Sequence, residues 1–337
     1  MYSNNNFRQL DNETLVIQIP EGRDYKILQL TDLHLGFGLF SGKKDRQALD
    51  AMSTLIKRTS PDLIVVTGDS LYPFFPASGT LNNKKEAEKF LSFMDGFEIP
   101  YALVMGNHDT ELGSKLNRQQ LGEIFKTGRY AIFAEGPNHI FGVGNYMIEL
   151  RCGERLGKVL SILDSNMYTT RWFFDGFDRI HPDQTDWCMK RLTKYKEENP
   201  QVEALAFFHM PLAEFKEAYT KMKSGDSSVC YHFGTIAEED DYFGISKLPG
   251  DFFQKAKENG VIKYMFCGHD HVNNLSLTYE GIRMTYGMSI DCLGYKGIHK
   301  HEVQRGATEI IVKTDATVDI RPVPLTVFVT SRIRGKK

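Results

Sequence analysis

Five apolar runs in this chain each end in a short polar cluster, and that recurrence limits the available folds more than any other feature. The clusters are Asp32-Leu33-His34, Gly68-Asp69, Gly106-Asn107-His108-Asp109, His209 and Gly268-His269-Asp270-His271. The runs before them, Lys26 to Thr31, Leu63 to Thr67, Tyr101 to Met105, Ala204 to Phe208 and Lys263 to Cys267, are short and mostly apolar, and they read as strands. Sites in open α/β sheets form beyond the carboxyl ends of strands, so five such ends can converge on one crevice.

The rest of the chain fits an α/β pattern. Apolar residues three or four apart predict helices over Arg46 to Arg58, Lys84 to Met94, Arg118 to Phe125, Gln184 to Lys196 and Asp251 to Glu258, where Asn259-Gly260 supplies a stop. Further strands are predicted at Leu15 to Ile19, Tyr146 to Leu150 and Val159 to Leu163. After Asn274 come Leu275 to Tyr279, Ile282 to Tyr286 and Glu309 to Lys313, with antiparallel pairing around Glu280-Gly281. Leu212 to Pro249 lacks strong periodicity and reads as a long loop or small cap. We expect one domain over 14–325 carrying that insertion at about 212–249, with tails at 1–13 and 326–337.

With 337 residues, 41% of them hydrophobic, the chain has ample material for a core, which excludes disorder and collagen-like repeats. Lys plus Arg numbers 41 against 43 for Asp plus Glu, so no basic face signals nucleic acid. Met1 to Asp11 is polar and no apolar stretch approaches the roughly 20 residues of a membrane span, so we expect a cytoplasmic protein with no membrane partner. Cys152, Cys188, Cys230, Cys267 and Cys292 are scattered singly, which fits neither a disulfide framework nor a zinc-thiolate site.

The clusters are chemically coherent. Carboxylate, amide oxygen and imidazole together suit manganese, iron or zinc, and seven candidate donors exceed what one ion with open positions can use. Two ions fit better, with a carboxylate such as Asp69 able to bridge metals about 3.5–4 Å apart. Taken singly, Asp32, Asp69 and Asn107 could be turn residues and each histidine a hydrogen-bonded structural group. The ordered set favours function over those readings.

The order Asp-x-His, Gly-Asp, Gly-Asn-His-Asp, His, Gly-His-x-His resembles the calcineurin-like metallophosphoesterase superfamily, from Lys26 to about Val312. Phe208-His209-Met210-Pro211-Leu212, Leu163-Asp164-Ser165, His181-Pro182-Asp183-Gln184 with Trp187, and Gly268 to Asn273 are similar to its purple-acid-phosphatase-like subgroup. The resemblance implies an α/β (α+β) fold, a two-sheet β-sandwich flanked by helices in four α/β/β/α layers. It implies that Asp32, His34, Asp69 and His271 hold one metal, and that Asp69, Asn107, His209 and His269 hold a second. It leaves His108 as the catalytic group facing substrate, with Asp109 placed to orient its imidazole. Asp270 falls between two donors and is expected to be structural, whereas Asp164 and Asn273 either support the donors or cap local structure. Tyr72 matches a tyrosine ligand of true purple acid phosphatases, but with His34 present that ligand is redundant, and packing or pocket lining is the better expectation.

The activity implied is hydrolysis of phosphate esters by hydroxide activated at the metal pair, with monoesters preferred. The alternatives are a nucleotide or cyclic-nucleotide phosphodiesterase and a noncatalytic metal-binding scaffold. The expected partner is a phosphorylated small molecule or nucleotide, and a phosphoprotein is compatible too.

Overall fold

The computed structural model describes residues 7–169, 176–301 and 304–326. Its strands are β1 (Phe7–Gln9), β2 (Thr14–Gln18), β3 (Tyr25–Leu30), β4 (Leu63–Thr67), β5 (Tyr101–Val104), β6 (Ala131–Ile132), β7 (Tyr146–Cys152), β8 (Arg155–Ile162), β9 (Glu203–Phe207), β10 (Val229–Phe233), β11 (Ile262–Cys267), β12 (Ser276–Tyr279), β13 (Ile282–Tyr286), β14 (Gly306–Val312) and β15 (Val318–Pro324). The helices are α1 (Gly42–Thr59), α2 (Phe75–Ser78), α3 (Asn83–Asp95), α4 (Arg118–Phe125), α5 (Pro182–Glu198), α6 (Ala213–Lys223) and α7 (Phe252–Asn259).

The strands form two sheets. One has nine strands in the order β1-β2-β7-β8-β9-β11-β13-β12-β10, and the other six in the order β15-β14-β3-β4-β5-β6. Side-chain alternation in the larger sheet separates its faces. Ile148, Leu160, Leu205 and Phe266 join the core that contains Ile27, Val65 and Leu103 of the smaller sheet. Their neighbours Met147, Val159, Ala204 and Met265 pack instead with Trp187, Phe215 and Phe253 of α5, α6 and α7. Leu63 to Val66 is buried without a break, as required of a strand covered on both faces. The outer face of the smaller sheet is covered by Met52 and Leu55 of α1, Phe90 of α3 and Leu121 of α4. The result is the expected order of helices, sheet, sheet, helices.

The stretch expected as a loop or cap, 212–249, contains α6 and the edge strand β10, which pairs antiparallel with β12. Phe215, Ala218 and Tyr219 bury one stripe of α6, a helical spacing that the polar surroundings obscure. Residues 7–9, before the expected domain start, pair with β2. Residues 1–6 and 327–337 of the expected tails lie outside the described residues. No helix among the described residues is long and apolar enough to cross a membrane.

Candidate metal centre

Strands β3, β4 and β5 run parallel in one sheet, and β9 and β11 run parallel in the other. Their carboxyl ends meet along one edge of the sandwich. The backbone N–H of His269 donates to the Asp32 carboxylate at 3.1 Å, and Thr31 bridges to Ser289, so the junction joins both sheets. The turns after the strands are tight. Asp32, His34, Asp69 and His269 have φ of 50°, 47°, 50° and 77°, a left-handed conformation that side chains other than glycine adopt rarely and at a cost of about 1–3 kcal/mol each. Gly106 is required here because a Cβ would come within 2.1 Å of Asp69 Oδ1.

The turns bring the predicted donors together in two groups. Asp32, His34, Asp69 and His271 present donor atoms within 4.8 Å of one another, as do Asp69, His209 and His269, so Asp69 belongs to both groups. Asn107 joins the second group, with its Oδ1 2.9 Å from His209 Nε2. All seven residues expected from the sequence therefore lie in one cluster.

The cluster also fits a cation physically. Asp69 Oδ2 and both ring nitrogens of His34 are buried without a hydrogen bond, although Oδ2 lies 3.4 Å from His34 Nε2 and 3.2 Å from His209 Nε2. Buried polar atoms left unpaired in this way are costly unless something else satisfies them, and metal ions would do so for these donors. Burial alone would push the Asp69 carboxyl up, but His209 and His108 hold it well below its usual range. Burial lowers His209, yet the charge and hydrogen bonding of Asp69, together with Asp32 and the Thr67 carbonyl, outweigh it and take the imidazole up to about 9.

Other bonds orient the imidazoles. His209 Nδ1 lies 2.9 Å from the Thr67 carbonyl, an acceptor that places the proton there and leaves Nε2 free to face the cluster. His271 Nδ1 lies 3.1 Å from Asp291 Oδ2, which likewise turns Nε2 towards Asp32. Asp291 also accepts from the N–H groups of Leu293, Gly294 and Tyr295. Burial raises its carboxyl, but His34 and His271 more than offset that and hold it below the usual range.

Asp109 does not orient His108. Its two oxygens accept from the N–H groups of Leu71 at 2.8 Å and Gly106 at 2.7 Å, so it ties two strand-end turns together. His108 Nδ1 pairs instead with Glu111 Oε1, because the turn after Asn107 brings the side chain three residues on back beneath the ring. Glu111 also accepts from the hydroxyl of Tyr168, which in turn accepts from Asn107 Nδ2 at 3.1 Å. Burial lowers His108, but Asp69 and Glu111 more than compensate and raise it.

The residues left open by the sequence also find places. Asp164 pairs with Arg118 of α4, which donates to the Gly106 carbonyl at 2.8 Å, so this pair braces the Asn107 turn. Asn273 accepts from Ala237 and Glu238 and caps local structure, while buried Asp270 accepts from Gly244 and the Tyr286 hydroxyl. Tyr72 packs against His34 and His108, with ring centroids 4.7 and 5.1 Å away, and burial raises its phenol. Glu111, Asp291, Tyr168 and Arg118 escape sequence reasoning. Only Glu111 had a usable signal, its position two residues after the Gly-Asn-His-Asp cluster.

A crevice lined by carboxylate, amide and imidazole donors from five strand ends defines a metal-centred hydrolytic site on a two-sheet sandwich. A model of the calcineurin-like phosphoesterases matches residues 25–273, and the chain belongs to that family of hydrolases acting on phosphate esters. Its similarity to a protein of Arabidopsis thaliana called probable inactive purple acid phosphatase 29 is 29% identity over 86% of this chain and 77% of that one. It is 28% identical to the phosphatase DCR2 of Saccharomyces cerevisiae over 83% of this chain, which spans 50% of the yeast protein. It is 24% identical to the rat serine/threonine-protein phosphatase CPPED1 over 81% of this chain and 72% of that one. The crystal structure of a dimetal phosphatase from Danio rerio shares the fold, with a TM-score of 0.54, 12% identity and coverage of 89% of this chain and 96% of that one.

Proposed function

We propose that the chain hydrolyses phosphomonoesters, with Asp32, His34, Asp69 and His271 holding one metal ion and Asp69, Asn107, His209 and His269 a second. The observation that carries this reading is the shared carboxylate of Asp69 between two donor groups, with a further imidazole at their solvent side. When bound, the metals neutralise charge on the phosphoryl oxygens and acidify water.

The chain's own residues supply the rest. The side chain of His108 is 25% exposed, whereas those of His34, Asp69 and His209 are 0–1% exposed, so His108 stands between the donors and the open cleft. There it donates a proton to the departing alkoxide, and Glu111 fixes the ring and favours the protonated form. Beside it lies an open cleft of about 860 Å³ whose walls include Thr110, Leu112, Phe141, Met167, Tyr168 and Arg179. That space accommodates the ester's organic portion, whether a small molecule, a nucleotide or a segment of phosphoprotein. Two relatives whose names call them phosphatases favour the monoester over the diester.

The deciding experiment compares hydrolysis of p-nitrophenyl phosphate and bis(p-nitrophenyl) phosphate by protein stripped and reloaded with manganese, iron or zinc. Faster turnover of the monoester, abolished in Asp69→Asn, is the expected result. Preference for the diester overturns the monoester reading, and two bound metals without turnover of either ester favours a scaffold.

A further inference from the structure

Large apolar side chains gather on the surface beside the metal centre. Leu39 is 83% exposed, Leu112 70%, Phe40 62% and Phe75 51%, and Phe74 and Leu81 are exposed as well. They come from three chain segments that the fold places together. The Phe40 N–H donates to the Ser78 carbonyl at 3.1 Å and the Phe40 and Phe75 rings lie 6.0 Å apart. The Lys115 N–H donates to the Leu81 carbonyl at 2.9 Å, which sets the loop of Leu112 alongside. Phe74 packs 5.7 Å from Tyr72, whose ring touches His34 and His108, so the patch borders the site itself.

Basic residues flank these segments along the chain. Lys43, Arg46, Lys85, Lys89 and Lys115 are exposed, with Lys89 Nζ 5.0 Å from the centre of the Phe37 ring, while Asp45 and Glu86, interleaved among them in sequence, are buried. The exposed acids in these segments are Asp50, one helical turn beyond Arg46, and Glu88, which pairs with Lys84 at 3.7 Å. In a chain of net charge −2 this is a local excess of cations in the segments that carry the apolar tips.

Contrary to the expectation of no membrane partner drawn from the sequence, we propose that this surface docks on an anionic lipid bilayer, with Leu39, Phe40 and Phe75 entering the headgroup region and the lysines pairing with lipid phosphates and carboxylates. Contiguous exposed apolar side chains mark a binding surface. The chemistry selects lipid over protein, because lysine is depleted at protein interfaces, whereas apolar tips flanked by several lysines match an anionic bilayer. Docked this way, the mouth of the metal centre faces the membrane.

The test is flotation of the full chain with vesicles of phosphatidylcholine alone and of equal parts phosphatidylcholine and phosphatidylserine. We expect binding to the anionic vesicles that weakens as salt is raised, and a loss of about tenfold or more in Leu39→Ser/Phe40→Ser/Phe75→Ser. Lys43→Glu/Lys85→Glu should remove the preference for phosphatidylserine. Unchanged thermal melting and near-UV circular dichroism show that both variants are folded, so the readout does not depend on any enzymatic activity. Failure of the wild-type chain to float with anionic vesicles at low salt overturns the proposal and leaves the patch to a protein partner. Binding undiminished in the triple variant overturns it too.

Discussion

At the scale of single residues, the site separates side chains that can hold metal from those that hold the holders. His209 and His271 each have one ring nitrogen beside an oxygen acceptor, Thr67 and Asp291 respectively, and the other is directed at the cluster. Glu111 gives His108 the same kind of support. Glu111→Gln should therefore lower kcat by about tenfold on an alkyl phosphate, whose leaving group needs a proton, and much less on p-nitrophenyl phosphate. Partial rescue by Glu111→Asp would separate this positioning role from a purely structural one. Equal losses on both esters would remove it. The seven clustered side chains were legible in the sequence because each lies in a short ordered pattern. Asp291 was not, since it follows β13 without any pattern and reaches His271 only through the fold.

At the scale of elements, the strands that sequence periodicity missed are β1, β6, β10 and β15, and these are the four edges of the two sheets. An edge strand has half its hydrogen bonding and little of the burial that writes an apolar pattern, as the exposed Cys230, Tyr231 and His232 of β10 show. In β15, Pro322 and Pro324 weaken the strand signal further, and an edge is where a sheet tolerates proline. Helix α3 carries a different conflict. Its buried face includes Glu86, whose two carboxyl oxygens have no hydrogen-bond partner. Burial, with Asp109 and Asp45 nearby, pushes Glu86 up to about 9 from an ordinary 4.5. A carboxyl raised on folding leaves stability unaffected below pH 4.5, where it is protonated in both states, and lowers stability progressively as pH climbs towards 9. Glu86→Gln keeps the shape of the protonated acid, so it should raise the melting temperature at pH 8 and change it little at pH 4. A melting temperature unchanged at pH 8 would contradict this account.

At the scale of the whole molecule, the donors come from both sheets: Asp32, His34, Asp69 and Asn107 follow strands of the smaller, and His209, His269 and His271 follow strands of the larger. Metal binding at this seam would link the two halves of the sandwich. Protein stripped by a chelator should melt at a lower temperature than protein in manganese at a hundredfold excess over its dissociation constant, a difference of about 3 kcal/mol. Asp69→Asn should lose most of that response, and a full response in the variant would show that Asp69 is not shared between the ions. The sequence by itself determined the α/β alternation, the central strands, the five predicted helices and the seven polar side chains that the fold gathers into one cluster, because burial and strand-end chemistry leave local patterns along the chain. Only the tertiary structure decided that Glu111 rather than Asp109 serves His108, that the edge strands exist, and that the exposed Leu39, Phe40, Phe75 and Leu112 come from segments that lie together. Each of these depends on residues from separate segments meeting in space, and no periodicity in the chain records which exposed side chains will be neighbours.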